Sequence, residues 1–365
     1  MTPLMRHAFS HDEETRQLLA GFIVSSDRLS MGPLVSDFEV AWAERMGRAH
    51  GVMTNSGSSA NLILLQAMLN EGLLQAGDRV AVSAVTWATN VMPVMQLGLT
   101  PVPIDVDVET LNMHCCDEAD TVFATNALGF CPELGEFNGT LIVDSCEGVG
   151  GELDGRPIGS FGLASTFSFF IGHHLSTIEG GMVCTDDDDF ADALRMARAN
   201  GWDRNVSERK RCELRSANRV NDFNAAYTFY APAYNVRPTE IQGFLGLNQL
   251  QYLDENCERR AEIYYRLQDA QRFGIKVKTR MSKISPLAFP VVCESAAEMY
   301  LKRRMFERCG VEVRPLISGN ITKQPFFPTW HELPGADHLH RSAFYCGLHP
   351  EMTEDELQTI EGCLS

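Results

Sequence analysis

The chain has 365 residues, of which 44% are hydrophobic and 22% charged, and its formal charge is −17. This length is sufficient for a large domain with a buried core and a second, smaller domain. The acidic balance argues against a nucleic-acid or anionic-membrane partner, because both would repel such a surface.

The N-terminal segment, residues 1–30, is expected to pack with the small domain. It carries charge from Arg6 onward and lacks the apolar stretch of a signal peptide. No later part of the sequence reaches the roughly 18 uninterrupted apolar residues that a membrane-spanning helix needs. We therefore expect a cytoplasmic protein without a membrane partner.

Residues 31–250 contain short runs rich in β-branched residues that alternate with helical patterns. These patterns predict helices over 61–74 and 90–97, and strands over 79–82, 101–104 and 140–144. Strands that alternate with helices are typical of an α/β domain with a mostly parallel sheet. Residues 31–250 are therefore predicted to form the large domain.

A turn of small residues, 55–60, precedes the first of these helices. Small side chains at a helix start leave backbone N–H groups free, and the helix dipole attracts anions. Ser56, Gly57 and Ser58 are therefore candidates for binding a phosphate group. Ser/Gly turns are also common as simple helix caps, and the turn by itself does not decide between the two interpretations.

The strand over 140–144 ends at Asp144, which places a carboxylate where open α/β sheets bind ligands. Such a carboxylate can pair with a protonated pyridine nitrogen, although a helix cap or an ion-pair partner is the alternative. Segment 165–181 follows, with apolar residues, the Ser168 hydroxyl, the histidines His173 and His174, and a glycine pair. The acidic run 186–189 indicates a solvated turn and helix start rather than a metal site.

A long helix is predicted from Thr239 through Tyr252 toward Gln268, as the bridge into a small C-terminal domain at 251–365. The eleven cysteines contain no C-x-C or C-x-x-C pair. This spacing favours reduced, mostly buried thiols over a zinc site or a disulfide framework.

The ordered set of motifs resembles the DegT-type nucleotide-sugar aminotransferases, which are fold type I PLP enzymes. The resemblance covers residues 30–252 and continues weakly beyond them. It implies a mostly parallel mixed sheet in a large PLP-binding domain and a smaller C-terminal α/β domain. Segment 103–140 is shorter than usual, which leaves the helix before Asp144 in doubt. The matching segments are 32–33, 38–39, 55–57, 77–80, 86–87, 105–107 with Thr110, Asp144, 167–169, 179–181 and 234–242.

The resemblance also implies the cofactor contacts, position by position. Gly57, Ser58 and Ser168 would hold the phosphate of PLP or PMP, and Trp87 would stack on the pyridine ring. Asp144 would bind the ring nitrogen, and Glu147 falls where relatives often have glutamine against the other ring face. Asn235 matches a residue that reaches the cofactor phosphate of the neighbouring subunit, so a homodimer with shared active sites is implied.

One position departs from the aminotransferases. The fifth residue after Ser168 is His173, where those enzymes keep the lysine that binds the cofactor covalently. Imidazole cannot form that bond, and the first lysine anywhere in the chain is Lys210. Histidine still accepts a proton near neutral pH. His173 is therefore the predicted catalytic base, with the cofactor held non-covalently.

With histidine at this position, segment 172–181 resembles the His-containing 3-dehydratase branch. This implies removal of the C3 hydroxyl from a nucleotide-linked 4-keto-6-deoxy sugar, with GDP-4-keto-6-deoxy-D-mannose as the expected substrate. Glutamate would be the amino donor, and ammonia and a 3-deoxy-4-keto sugar would be released, for surface polysaccharide biosynthesis. Four residues are further candidates for substrate contacts: His174, Arg237, Arg314 and Asn320.

The residues disfavour one alternative function, an iron–sulfur dehydratase, and leave two others open. A related dehydratase type uses a [2Fe–2S] cluster, which needs four thiolates. Segment 201–209 has no cysteine where that type has a C-x-C pair, so no iron–sulfur cluster is expected. A C4 aminotransferase that uses an unusual base would make an amino sugar. A non-catalytic paralogue would bind cofactor or sugar nucleotide without turnover.

Overall fold

The structure is a computed structural model that describes residues 1–114, 118–132, 134 and 139–365. Its centre is a seven-stranded sheet in the order β1-β9-β8-β5-β4-β2-β3. In the sheet as described, β9 runs antiparallel to both its neighbours, and the other pairings are parallel. The strands are β1 (His50–Thr54), β2 (Arg79–Ser83), β3 (Thr100–Ile104), β4 (Thr121–Thr125), β5 (Thr140–Asp144), β8 (Ala164–Ser168) and β9 (Gly181–Thr185), with a two-stranded hairpin of β6 (Glu152–Leu153) and β7 (Arg156–Pro157).

Helices cover the sheet, and their sequences explain their ends. Helix α3 (Gly57–Asn70) is apolar on most faces because it packs against β8, β9 and helix α5 (Asp188–Arg198). Asp187 caps α5 by accepting from the backbone of Phe190, as expected for the acidic run. The other helices of this region are α1 (Asp12–Ser25), α2 (Pro33–Arg45), α4 (Met92–Gln96), α6 (Glu208–Asn218) and α7 (Asp222–Ala225).

The long helix predicted from Thr239 is two helices. A capping box between Thr239 and Gln242 starts α8 (Glu240–Leu250), and α9 (Leu253–Ala270) begins after a short break. The apolar pattern continues through the break, so the sequence did not reveal it.

The C-terminal part is a three-stranded antiparallel sheet with helices packed against it. Its order is β10-β12-β11. Residues 2–11 contact the C-terminal part, where Thr2 pairs with Val311 and Arg6 with Glu356, whereas α1 packs on α8. The elements are β10 (Ala288–Val292), α10 (Ala296–Arg308), β11 (Val313–Pro315), α11 (Pro334–Ser342), β12 (Ala343–Gly347) and α12 (Glu354–Leu364).

The mostly parallel mixed sheet of the large domain is confirmed. Between β4 and β5 the described residues include a 3-10 turn at Ala127–Gly129 and no α-helix, so the helix that was in doubt is not found among them. The nine described cysteines are free thiols, while Cys115 and Cys116 lie outside the described residues. Among the helices that the structure describes, none combines the length and the apolar character needed to span a membrane.

Candidate active site

Seven of the predicted site residues meet at one edge of the large sheet. Each lies at or after the carboxyl end of a strand, where a mostly parallel sheet offers its ligand-binding crevice. Together they surround a cavity of about 550 Å³, which we call the main cavity. The predicted residues that line it are Gly57, Ser58, Trp87, Asp144, Glu147, Ser168 and His173.

The N-terminus of α3 forms one end of the main cavity. Ser56 caps this helix, because its hydroxyl accepts from the backbone N–H of Ser59 at 3.1 Å. A Cβ at Gly57 would lie 2.7 Å from the Cβ of Ser168, so glycine is needed for the helix to approach β8 this closely. The free backbone N–H groups at the start of α3 and the hydroxyls of Ser58 and Ser168 form a cradle suited to a phosphate group.

Asp144 forms the floor of the main cavity and is held from three sides. Its Oδ2 accepts from the Asn61 amide at 3.0 Å and from the Asn90 amide at 2.8 Å. Its Oδ1 accepts from the backbone N–H of Cys146 at 2.9 Å. The carboxylate is 6% exposed, so these bonds fix its position at the end of β5.

Glu147 lies one turn beyond Asp144 in the wall of the main cavity. Its Oε2 accepts from the backbone N–H of Leu128 at 2.6 Å. Burial raises the pKa of Glu147 to about 7, with the negative charge of Asp144 adding to this, while the Leu128 N–H opposes it. Glu147 is therefore partly protonated at neutral pH, unlike an ordinary glutamate.

His173 lies in the loop after β8 and faces the main cavity. Its backbone N–H donates to the Phe170 carbonyl at 2.9 Å, which fixes the loop. Burial lowers the pKa of His173 to about 4, Asp144 opposes this shift and Arg260 adds to it. The imidazole is therefore neutral at pH 7 and available to accept a proton. The main cavity contains no lysine among the described residues that line it.

These residues fit a PLP-type cofactor. The cradle at Gly57 would hold the phosphate, and the buried carboxylate of Asp144 suits a protonated ring nitrogen. Trp87 is 59% exposed and lines the main cavity, so its ring offers an open face for stacking. The arrangement supports holding an aromatic phosphate ligand beside a neutral histidine.

Asn235 and Arg237 do not reach this site within the chain. They line a second cavity of about 990 Å³, which we call the arginine cavity. Arg204 and Arg237 pack over the Trp202 ring there, with guanidinium carbons 3.9 Å and 5.3 Å from its centroid. The arginines that line this cavity are Arg28, Arg195, Arg198, Arg204 and Arg237.

The remaining substrate candidates lie outside the lining of the main cavity. The His174 Nε2 lies 2.7 Å from the Ser285 carbonyl, and the ring is buried. The Asn320 side chain is fully buried and bonds Asp337 and Thr322, so it holds its own loop. Arg314 is exposed and pairs with Glu312. The geometry favours loop-holding roles for His174 and Asn320 over direct substrate contacts.

Sequence reasoning missed the two amides that hold Asp144. Asn61 lies within an otherwise apolar, buried stretch of α3, and a polar residue at such a position indicates a polar partner. Asn90 ends a 3-10 turn just after Trp87 and gave no comparable signal. Tyr345 of β12 also lines the main cavity, and no motif near it in the sequence indicated this.

Comparison with known proteins adds independent findings. Residues 10–122 and 136–365 match the DegT/DnrJ/EryC1/StrS aminotransferase family. The chain is 29% identical to GDP-4-keto-6-deoxy-D-mannose 3-dehydratase of Escherichia coli, over 94% of each chain. It is 30% identical to the protein of that name from Yersinia pseudotuberculosis, over 93% of this chain and 92% of the other.

The fold has a similar counterpart among solved structures. A crystal structure of GDP-4-keto-6-deoxymannose-3-dehydratase with a trapped PLP-glutamate geminal diamine superimposes with a TM-score of 0.90. The two proteins are 26% identical, and the match covers 100% of both chains. The fold type I aminotransferase architecture expected from the sequence is confirmed.

Proposed function

The chain belongs to the DegT/DnrJ/EryC1/StrS aminotransferase family, and within it we propose that the protein is a PLP- or PMP-dependent 3-dehydratase of GDP-4-keto-6-deoxy-D-mannose. It removes the C3 hydroxyl of the sugar. Glutamate supplies the amino group, and ammonia and a 3-deoxy-4-keto sugar are released. The names of the relatives from Escherichia coli and Yersinia pseudotuberculosis support this substrate. The product serves surface polysaccharide biosynthesis.

The observation that carries the proposal is the position of His173. A histidine occupies the family's lysine position in the wall of the main cavity, while Asp144, Trp87 and the Gly57 cradle are all present. Histidine cannot bind the cofactor covalently as lysine does, but it can still accept and donate a proton at this position. The intact surroundings argue against a protein that only binds the cofactor.

The residues of the chain divide the work of binding. When bound, the cofactor supplies an electron sink for breaking the bond to the C3 hydroxyl. Asp144 keeps the ring nitrogen protonated by its negative charge, and Asn61 and Asn90 hold that carboxylate in place. Backbone N–H groups at Gly57 and Ser58, with the Ser168 hydroxyl, bind the phosphate.

His173 moves the protons of the reaction. Because its pKa is lowered to about 4 by burial, the imidazole is a free base at pH 7. It accepts the proton released at the reacting carbon and is then an acid beside the substrate. It returns a proton to the C3 hydroxyl oxygen, which leaves as water.

The arginine cavity supports a homodimer with shared active sites. Asn235 lines this cavity and not the main cavity of its own chain, which agrees with a residue that reaches the neighbouring subunit. The cavity concentrates positive charge in a protein whose net charge is −17. In the dimer, Arg237 and its neighbours bind the diphosphate of the sugar nucleotide. Arg314 is proposed as a further substrate contact.

One assay separates the candidate functions. The protein is incubated with PLP, glutamate and GDP-4-keto-6-deoxymannose, and ammonia, 2-oxoglutarate and sugar mass are followed. Dehydration gives ammonia and 2-oxoglutarate together with a 3-deoxy sugar. An amino sugar formed without ammonia would show an aminotransferase instead. Consumption of neither glutamate nor sugar would indicate a non-catalytic binding protein.

A further inference from the structure

A smaller cavity of about 60 Å³ adjoins the main cavity, and His173 lines both. We call it the histidine chamber, and its charged or titratable inner walls are His173, His174, Arg260 and His349. On its other side the lining includes His7 and Glu351, which form an exposed pair with 2.8 Å between His7 Nδ1 and Glu351 Oε1. The histidine chamber therefore lies between the proposed catalytic base and the protein surface.

The polar groups of the histidine chamber are buried. His174 and Arg260 are 5% exposed, and His349 is 3% exposed. Arg260 donates from Nη1 to the backbone carbonyls of Leu287 and Leu348, and within the described part of the chain it forms no ion pair with a carboxylate. Five buried nitrogens have no hydrogen-bond partner among the described residues: His173 Nδ1, His174 Nδ1, Arg260 Nε, His349 Nδ1 and His349 Nε2.

This set of nitrogens indicates that the histidine chamber binds something polar. A buried polar atom without a partner costs about 1–3 kcal/mol, so five of them on four residues that line one cavity would be a large penalty. Buried water commonly removes such penalties, because one molecule makes about three hydrogen bonds. A volume of about 60 Å³ accommodates about two water molecules, at roughly 30 Å³ each.

The tautomer of His174 distinguishes water from an anion. Its Nε2 lies 2.7 Å from the Ser285 carbonyl and must therefore carry the hydrogen. Burial and the charge of Arg260 lower the pKa of His174 well below its usual value, so the ring is neutral and Nδ1 presents a lone pair. That lone pair would repel an anion, whereas Arg260 Nε offers a hydrogen. Water satisfies both, because it donates and accepts.

We propose that the histidine chamber holds a short chain of water molecules that carries protons between His173 and the surface at His7 and Glu351, with His349 as the relay. This inference rests on the proposed function, in which His173 gains and loses protons in each turnover. One proton binds one ring nitrogen of His349 while another leaves from the opposite nitrogen, and each water molecule of the chain likewise gains one O–H bond and loses another. His174 cannot relay in this way, because the Ser285 carbonyl holds its Nε2–H.

The path gives His173 access to solvent during turnover. A nucleotide sugar in the main cavity covers the imidazole on that side, and the histidine chamber remains as a second route. Burial, with the charge of Arg260, lowers the pKa of His349 to about 4, so its ring is also neutral at pH 7. A neutral ring can accept a proton at one nitrogen while it donates another proton from the opposite nitrogen. His349 is thus a positioning residue for proton transfer and does not contact the substrate.

Two substitutions at one position test the relay. His349→Phe fills the space without ring nitrogens, and we expect kcat to fall at least about tenfold with KM unchanged. His349→Ala leaves space for a small base, so added imidazole should restore kcat in this variant and not in His349→Phe. His338→Phe is the matched control, because His338 lines neither cavity, and it should keep its kcat.

A high-resolution crystal structure of the wild-type protein gives a readout independent of activity. Ordered water bridging His349 and His173 supports the inference, and a dry histidine chamber or a bound anion overturns it. Full kcat in His349→Phe, or equal loss in both variants without imidazole rescue, also overturns it. If the chamber holds water but the wild type does not dehydrate the sugar, the proposed function fails while the water site stands.

Discussion

At the scale of single residues, His173 sets what the site can do, because it replaces covalent attachment with proton transfer. His173→Lys restores an amine beside the phosphate cradle at Gly57 and Ser168. We expect this variant to bind PLP covalently and to lose at least about 100-fold in kcat/KM for dehydration, since lysine then occupies the place of the base.

Borohydride reduction followed by intact-protein mass measures the covalent attachment, and the sugar assay measures the loss of dehydration. His338→Lys is the control, since its side chain lies outside the main cavity and should gain no cofactor mass. A His173→Lys variant that keeps full dehydratase activity would show that the imidazole is not the required base.

At the scale of elements, the close approach of α3 to β8 forms the phosphate cradle. Gly57→Ala adds a Cβ 2.7 Å from the Cβ of Ser168, so the helix must move away from the strand. We expect the Kd for PLP to rise at least about tenfold, because the backbone N–H groups then miss the phosphate. Titration of the protein with PLP, followed by tryptophan fluorescence, measures this change.

Gly21→Ala provides a matched control in helix α1. A Cβ at Gly21 meets no atom within 4 Å, so the same substitution is unobstructed there. It should leave the Kd for PLP unchanged and stabilise the protein by about 0.5–1 kcal/mol, because alanine favours a helix interior. Equal weakening of PLP binding by both substitutions would contradict the role of the cradle.

The same elements show what sequence reasoning reaches. The strand that ends at Asp144 was predictable because its run of β-branched and apolar residues indicates it, whereas the strand that ends at Ser168 was not predicted. The break between α8 and α9 was not, because Leu250, Tyr252 and Leu253 continue the apolar pattern across it. Local periodicity does not record where a helix is interrupted.

The residues of the candidate site were also only partly predictable from the sequence. Residues carried by motifs, such as Trp87 and His173, line the main cavity together, and their roles there stay predictions. Arg260 and His349 were not recognised, because each lies far along the chain from His173 and only folding brings them together. Asn320 was assigned to substrate from resemblance, yet its side chain bonds Asp337. Sequence alone does not tell which way a polar side chain points.

At the scale of the whole molecule, four buried groups make stability depend on pH. Burial lowers the pKa of His173 and of His349 to about 4 and the pKa of His174 well below its usual value, whereas unfolded histidine has a pKa of about 6.5. As the pH falls from 6.5 to 4, the unfolded chain binds protons that the folded protein does not, so these three histidines destabilise the fold in acid. Glu147 acts in the opposite sense, because burial raises its folded pKa to about 7 and its stabilising effect is lost as the pH rises toward that value.

Between pH 4.5 and 6.5 three histidines act against one glutamate, which leaves a net difference of about two protons. The free energy of unfolding should therefore fall by about 2.7 kcal/mol for each pH unit below 6.5. Urea denaturation of the protein without added cofactor, at pH 5.0 and 6.5, measures this slope. His349→Gln should flatten the slope, because it removes a group that binds a proton only in the unfolded chain. Glu147→Gln should steepen the slope, because it removes a group that binds a proton only in the folded protein. Identical slopes in the wild type and both variants would show that these buried groups do not control stability in acid.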